Sequence, residues 1–497
     1  MSMKHNPAMP DDEAVASGFY HLAGVPLAGR SCAGLACFAA RADAPARWAD
    51  AAREPRVHCL GKCYTGPAVA DTDSKNAVGG PRPHVEVCAR HAVLLGNVQR
   101  GGARTLAEYL AAGGGRALDA ARVLDPATIV AMVRDSGLRG RGGAGFPTGE
   151  KWLLVAAAGG PVKHIVANAD EGDPGAFSDR FLIEDDPFRL IEAMVIAARA
   201  TGASRGHIYL RREYPACARV LEAVLAEARL AGWLGSATNK VAAPGFDIEL
   251  VVGHGSYVCG EETAMLNAIE GRLPQVRLRP PQITERGLHG QPTLVNNVET
   301  LCAVPWIVAH GAAAYAALGF SKSRGTKLLS LNSLFRRPGL YEVEFGITLR
   351  EIVEELGGGL KRGRLQGLMI GGPLAGLVPP SRLDTRLGYE EMHAVHGAVG
   401  HGGVIAFADD TSLAAIAAEI FRFGADESCG KCVPCHRGTP QLARMYAGEA
   451  AREPVHHDAL LRALADTSLC AHGRGLAEFG DSLKANYPDQ LAALFRP

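Results

Sequence analysis

The sequence predicts a multidomain α/β protein that ends in a helical, metal-binding unit. Two observations carry this. Strand-like runs at 164–167 and 246–252 open into glycine-rich loops and alternate with helix-like segments, Pro187–Thr201 and 217–231, as in a layered α/β fold. Downstream, Cys429, Cys432 and Cys435 stand at C-x2-C-x2-C spacing, with Cys470 further on. At 497 residues the chain has room for about three domains.

Taken in order, residues 1–120 form a first unit. Residues 39–54 have helical character and 56–59 read as a strand running into a turn at Gly61. The unit carries a C-x4-C pair, Cys32 and Cys37, and a C-x3-C pair, Cys59 and Cys63, and its boundary falls near the glycine/alanine stretch 111–116. Residues 121–322 hold the strand–loop–helix alternation. In 323–408 short strands and turns surround one helix at 349–356, a small α+β unit. From 409 to 497 the chain is helix-rich and carries the clustered cysteines.

Bulk composition excludes several classes. Lys+Arg and Asp+Glu are both 52, so no net charge points to nucleic acid or an anionic membrane. The N-terminus runs from Met1-Ser2-Met3-Lys4-His5 into Asp11-Asp12-Glu13 with no apolar signal core. The longest apolar stretch, 301–320, is broken by His310, Gly311 and Gly319, and reads as a buried helix and connection. These features place the chain in the cytoplasm, without direct membrane contact. Twelve cysteines in short groups favour metal ligation in a reducing compartment over a disulfide scaffold.

The C-terminal quartet suits a cubane iron–sulfur cluster, because each iron takes one protein sulfur and the close triplet wraps three corners. A zinc site more often uses two C-x2-C pairs; zinc and plain buried thiols remain the alternatives. Four further segments carry polar chemistry. The loop 136–149 is dense in glycine, with Lys151 and Trp152 following, and lacks the Walker pattern. Glycine lets backbone N–H groups approach an anion or a flat ring, and a flexible surface turn is the plain alternative. Asn168-Ala169-Asp170-Glu171-Gly172-Asp173 follows an apolar strand, where α/β folds bind ligands; a solvated acidic turn is the other reading. Residues 253–263 turn from strand to helix with Glu261 and Glu262 in the first helical turn, where helix-dipole capping also explains them. Asn296 and Asn297 follow Leu294 and Val295, as phosphate donors or turn stabilisers.

These segments, with the C-terminal cysteines, closely resemble the NADH-oxidising FMN/iron–sulfur flavoproteins: the FMN subunit of respiratory complex I, the diaphorase subunit of NAD-reducing hydrogenases, and the beta subunit of NAD-dependent molybdenum formate dehydrogenases. The match runs from about Ser136 to Arg474. The resemblance implies FMN held by Gly140, Arg141, Gly142, Gly143, Lys151, Asn168, Asp170, Tyr257, Gly260, Glu261, Asn296, Asn297 and Thr300. It implies NAD(H) near Phe146, with Glu171, Asp173 and Glu262 by the nicotinamide or ribose. Asp173 stands where relatives often carry Glu, and Leu153 and Leu154 where they often have an aromatic. Hydride transfer needs no acid or base from the protein, so no catalytic side chain is assigned, Glu171 being the one to consider.

The resemblance further implies a [4Fe–4S] cluster on Cys429, Cys432, Cys435 and Cys470. It also implies a thioredoxin-like first domain and a ubiquitin-like fold for 323–408. The thiols Cys32, Cys37, Cys59 and Cys63 look like a [2Fe–2S] signature; they mark either such a cluster or a relic domain that docks partners without one. The fused first domain suits formate dehydrogenase and NAD-reducing hydrogenase subunits alike, and the wording of 168–180 and 388–403, including His393, His396 and His401, resembles the formate dehydrogenase beta subunit most. Expected partners are a molybdenum- and iron–sulfur-containing catalytic subunit and a small [2Fe–2S] thioredoxin-like subunit, with no nucleic acid. Hydrogenase and complex I subunits are the alternatives within the family. A zinc-stabilised, colourless scaffold is the alternative outside it.

Overall fold

The computed structural model describes residues 27–52, 56–70, 81–235 and 245–495. The N-terminal stretch read above as lacking an apolar signal core lies outside these residues.

Four strands form a wholly parallel sheet in the order Asp247–Val252, Arg205–Leu210, His164–Ala169, Thr293–Asn297. The central strand is buried along nearly its whole length, as a sheet covered on both faces requires. The helix Pro187–Thr201 is apolar almost all round and packs on Val298–His310 to cover one face. In the register Ala167 sits opposite Asn296 and Asn168 opposite Asn297. The acid loop, the double asparagine and the 253–263 turn therefore leave the same carboxyl edge of the sheet, where open α/β folds place their ligands.

A second sheet runs Gly339–Glu344, Thr326–Leu331, Gly403–Ala408, Leu365–Ile370, Leu377–Val378. Thr326–Leu331 and Gly403–Ala408 are parallel, and the other three pairs in this run are antiparallel. One helical turn, Glu351–Leu356, is wound wider than an α-helix. His84–Val87 adds to the outer edge, pairing in parallel with Gly339–Glu344. The C-terminal region packs Leu413–Asp426, Val433–Ala447, Pro454–Thr467 and Ala471–Asn486 as successive helices. Among the described residues no helix is long and apolar enough to cross a membrane.

The first unit departs from expectation. Among the described residues before 120 there is no sheet of its own, and so no thioredoxin-like sheet; its one strand, His84–Val87, belongs to the second sheet. Residues 56–60 form no strand either. Cys59 takes a left-handed φ of 59°, which breaks an extended run and turns its sulfur inward. One buried cluster of this segment gathers Cys32, Cys37, Val57, Leu60, Ala68 and Ala70. The glycine/alanine stretch is a turn between Leu106–Ala111 and Arg116–Val123, and Tyr109, Gly115 and Leu118 on its two sides all bond to the buried carboxylate of Glu192.

Candidate flavin cleft and thiol sites

The glycine loop is held open from both ends. Gly140 N–H donates to Phe146 O (2.9 Å), Thr148 N–H to Leu138 O (2.9 Å), and Gly143 pairs with Gly400 of the second sheet's approach loop. Gly143 has φ +135° with nothing within 4 Å of a notional Cβ, so it borders open space in a conformation that disfavours side chains. Gly142 lies against Asn297, whose Cβ would be 3.0 Å from an added Cβ. Phe146 stands half exposed at the mouth.

Lys151, in the first turns of Thr148–Ala157, bonds Glu262 and donates to Val295 O at 3.1 Å. Buried Trp152 gives its indole N–H to Asn296 Oδ1 at 2.9 Å. Asn168 Nδ2 donates to Gly260 O at 2.9 Å, closing the acid loop onto the 253–263 turn. Tyr257 donates to Asp173 Oδ1 at 2.8 Å. Asp170 is an exception on this rim. Its Oδ2 is buried without a hydrogen-bond partner, and burial pushes its pKa well above the usual carboxylate range. An orphaned buried acceptor on the sheet edge that also carries the two asparagine amides fits the hydroxyl-bearing tail of FMN, and the open glycine loop its phosphate.

Several expected residues face elsewhere. The Arg141 side chain is buried and turned toward the short helices Ala312–Ala316 and Tyr389–Ala394, donating to Tyr315 OH (2.9 Å), Arg324 O (2.7 Å) and Tyr389 OH (3.2 Å); its N–H goes to Thr300 Oγ1 (2.8 Å). Arg141 and Thr300 thus anchor the loop from behind. Glu171 is fully buried. It accepts from Ser178 Oγ (3.1 Å), the N–H groups of Asp179 (2.9 Å) and Arg180 (3.1 Å) and Tyr214 OH (3.0 Å). It caps a helix and its pKa is lowered, with the His401 imidazole and these N–H groups outweighing burial. Glu261 caps Glu262–Ile269 through Thr263 and Ala264 N–H (both 2.9 Å) and takes Arg279 at 2.9 Å. Asn297 caps Val298–His310. The capping reading of Glu261 therefore holds alongside its place on the rim, and Asn297, read as a phosphate donor or turn stabiliser, is a helix cap as well.

The C-terminal thiols meet at helix starts. Cys432 is the N-cap of Val433–Ala447 and Cys470 that of Ala471–Asn486, so two positive dipole ends converge where a negative cluster would sit. The Cys435 thiol holds Cys432 down to about 5, while burial raises Cys470 to about 11, with Cys429 and Cys432 adding to the rise. Lys431 is spent on Val276 O. Glu427, just ahead of Cys429, accepts from Tyr257 N–H at 2.8 Å, which joins this site to the cleft.

The N-terminal thiols gather as two buried pairs. Cys59 and Cys63 sulfurs are 3.5 Å apart, and Cys32 pairs with Cys37. N–H groups of Gly34 (3.3 Å), Gly61 (3.4 Å) and Ala68 (3.4 Å) point at the sulfurs of Cys32, Cys59 and Cys37. Gly61 has φ +63°, and an added Cβ would lie 2.5 Å from Tyr214. Sequence reasoning missed Arg211, Tyr214, Asp179 and Tyr389. Arg211 and Tyr214, just after a strand end, sat where the fold rule points; Asp179 and Tyr389 had no local signal.

Residues 133–306 match the family described as the Nuo51 FMN-binding domain, and 415–494 the NADH-ubiquinone oxidoreductase-F iron–sulfur binding region. The F 2 subunit of the NADH-quinone oxidoreductase of Rhizobium meliloti is 41% identical over 394 residues, 78% of this chain and 93% of the relative. The HndC subunit of the NADP-reducing hydrogenase of Solidesulfovibrio fructosivorans is 38% identical, covering 74% of this chain and 76% of the relative. The crystal structure of an NAD+-reducing [NiFe]-hydrogenase in the H2-reduced state superposes with a TM-score of 0.81 at 31% identity, over 98% of this chain and 87% of that one. With the cleft, the thiol quartet and these relatives in agreement, the chain belongs to the NADH-oxidising, FMN- and [4Fe–4S]-binding family of NADH-quinone oxidoreductase F subunits.

Proposed function

We propose that the chain is the NAD(H)-handling, diaphorase subunit of a multisubunit oxidoreductase, and that its partner assembly is a formate dehydrogenase. The observation that carries the diaphorase reading is the unpartnered Asp170 Oδ2, on a rim bonded through Tyr257 and Glu427 to the Cys429 segment. When bound, FMN supplies hydride exchange with the nicotinamide and single-electron exchange with the clusters. Asp170 and Asn168 take the ribityl hydroxyls. Lys151, Asn296, Asn297 and the glycine loop from Gly140 to Gly143 take the phosphate end. Gly260, with Glu261 and Glu262, closes the far side, and Phe146 lies against the nicotinamide at the mouth. Tyr257 and Asp173 form the wall toward the cluster and exclude water there.

Cys429, Cys432, Cys435 and Cys470 hold the [4Fe–4S] cluster. The buried pairs Cys32/Cys37 and Cys59/Cys63, each able to pinch one iron, favour a [2Fe–2S] cluster over a relic domain. The strand order of the second sheet, with its one internal parallel pair, supports a ubiquitin-like unit that spaces flavin from partner. The formate assignment rests on the resemblance of 168–180 and 388–403. A hydrogenase partner is the second reading, favoured by the hydrogenase match over 98% of the chain, thiol segment included.

Anaerobic purification with metal analysis tests both. One FMN bleached by NADH is the result expected of a diaphorase. A copurifying assembly that holds molybdenum and reduces NAD with formate supports the formate reading; nickel and H2-dependent reduction replace it with the hydrogenase reading. Zinc without flavin overturns the diaphorase.

A further inference from the structure

His401 enters the flavin unit from the second sheet. It follows Gly400, the partner of Gly143 in the glycine loop, and its Nε2 lies 3.0 Å from Asp179 Oδ2 and 3.3 Å from Glu171 Oε1. The imidazole is 7% exposed and both carboxylates are fully buried or nearly so. Nε2 makes no well-directed hydrogen bond to either oxygen, so the contact is one of charge.

Each carboxylate also accepts from neighbouring donors, some of them on the oxygen that faces the ring. Asp179 accepts from Asn297 Nδ2 (2.6 Å) and the Glu299 N–H (3.1 Å), and Glu171 takes the donors already named. The other charges facing the ring are Lys327, which bonds Glu299 and the His401 carbonyl (3.2 Å), and Asp173. A neutral ring would leave two buried carboxylates crowded together without a counter-charge, a costly arrangement. Burial, resisted by the ring, raises Asp179 to about 6, and the two acids lift the imidazole well above its ordinary range. A divalent ion is the poorer occupant of the triad, because Glu171 Oε1 already accepts two hydrogen bonds.

We propose that His401 is a positioning residue for FMN: an imidazolium inserted between Glu171 and Asp179 that, through Asn297 and the Gly400–Gly143 pairing, fixes the cradle of the flavin phosphate. This rests on the flavin reading above. The test compares wild type with His401→Gln, which removes the charge, and His401→Lys, which keeps one. The readouts are FMN affinity by fluorescence, flavin midpoint potential, and metal content. The expected result is FMN affinity at least tenfold weaker and a lowered potential in His401→Gln, with iron content unchanged and affinity largely restored in His401→Lys. Wild-type affinity and potential in His401→Gln overturn the proposal. So does a stoichiometric divalent ion lost with that variant, which would make the triad a metal site. A wild-type chain that binds no FMN takes down the flavin reading, and the proposal with it. Should the glutamine variant not fold, the 15N shifts of the His401 ring in histidine-labelled wild type decide: an imidazolium at pH 7 is expected, and a neutral ring overturns it.

Discussion

Arg211 donates to the carbonyl of Cys59 at 2.8 Å, while the same guanidinium bonds the Glu171 carbonyl and Glu213 (3.1 Å). One buried cation therefore ties the N-terminal thiol nest to the acid loop of the cleft. Arg211→Gln strands the buried Glu213 carboxylate, and a broken buried pair costs about 3–5 kcal/mol. Chemical denaturation should show a loss of that order, with iron leaving the N-terminal site before FMN leaves the cleft.

The two thiol groups should be separable by stoichiometry. Cys37→Ser is expected to remove about two irons per chain and leave FMN and the NADH-reducible [4Fe–4S] signal in place; Cys435→Ser removes about four. Iron and acid-labile sulfide analysis with EPR reads this directly. Equal iron in wild type and Cys37→Ser would mean that the N-terminal thiols hold no cluster.

Trp152→Phe keeps the ring but withdraws the donor from Asn296 Oδ1. An unsatisfied buried acceptor costs about 1–3 kcal/mol. If that loss falls on the cradle, FMN affinity drops roughly tenfold, since about 1.4 kcal/mol is one decade. Fluorescence titration of the apoprotein checks it.

Glu344 is held down to about 2, chiefly by hydrogen bonds from Arg90. A carboxylate depressed in the folded state stabilises it above its ordinary pKa, and that contribution is lost as pH falls through the window between about 4.5 and 2. Glu344→Gln should flatten the acid limb of the thermal midpoint across this window. The effect is modest, because the Arg90 side chain is 63% exposed and salt screens it.

Gly143→Ala places a side chain at φ +135° beside open space. Strain of this kind costs about 1–3 kcal/mol. The variant should bind FMN more weakly while its thiol sites keep their iron, as flavin and iron assays on one preparation would show.

What could be read from the sequence was local. The glycine loop, Asp170 and the cysteine quartet declare themselves by spacing, because a turn or a cluster ligand set is built from near neighbours. The directions of Arg141 and Glu171 did not, since each is decided by elements far along the chain: Tyr315, Arg324 and Tyr389 for one, Tyr214 and His401 for the other. His401 was noticed only as part of a familiar stretch, and nothing local says that it lies between two acids more than 200 residues away. The thiol pairs were legible as ligands. Among the described residues no sheet frames them, and a two-pair spacing specifies the metal chemistry and not the sheet that carries it.

His84–Val87 covers the outer flank of Gly339–Glu344, a strand buried over nearly its whole length. Without that cover the strand would present bare N–H and C=O groups and apolar side chains to other chains, a template for edge-to-edge aggregation. The strand His84–Val87 thus acts as a chaperone in cis for the second sheet. Versions of this protein that keep the N-terminal thiols but cannot form the His84–Val87 pairing should lose solubility while their iron content is unchanged.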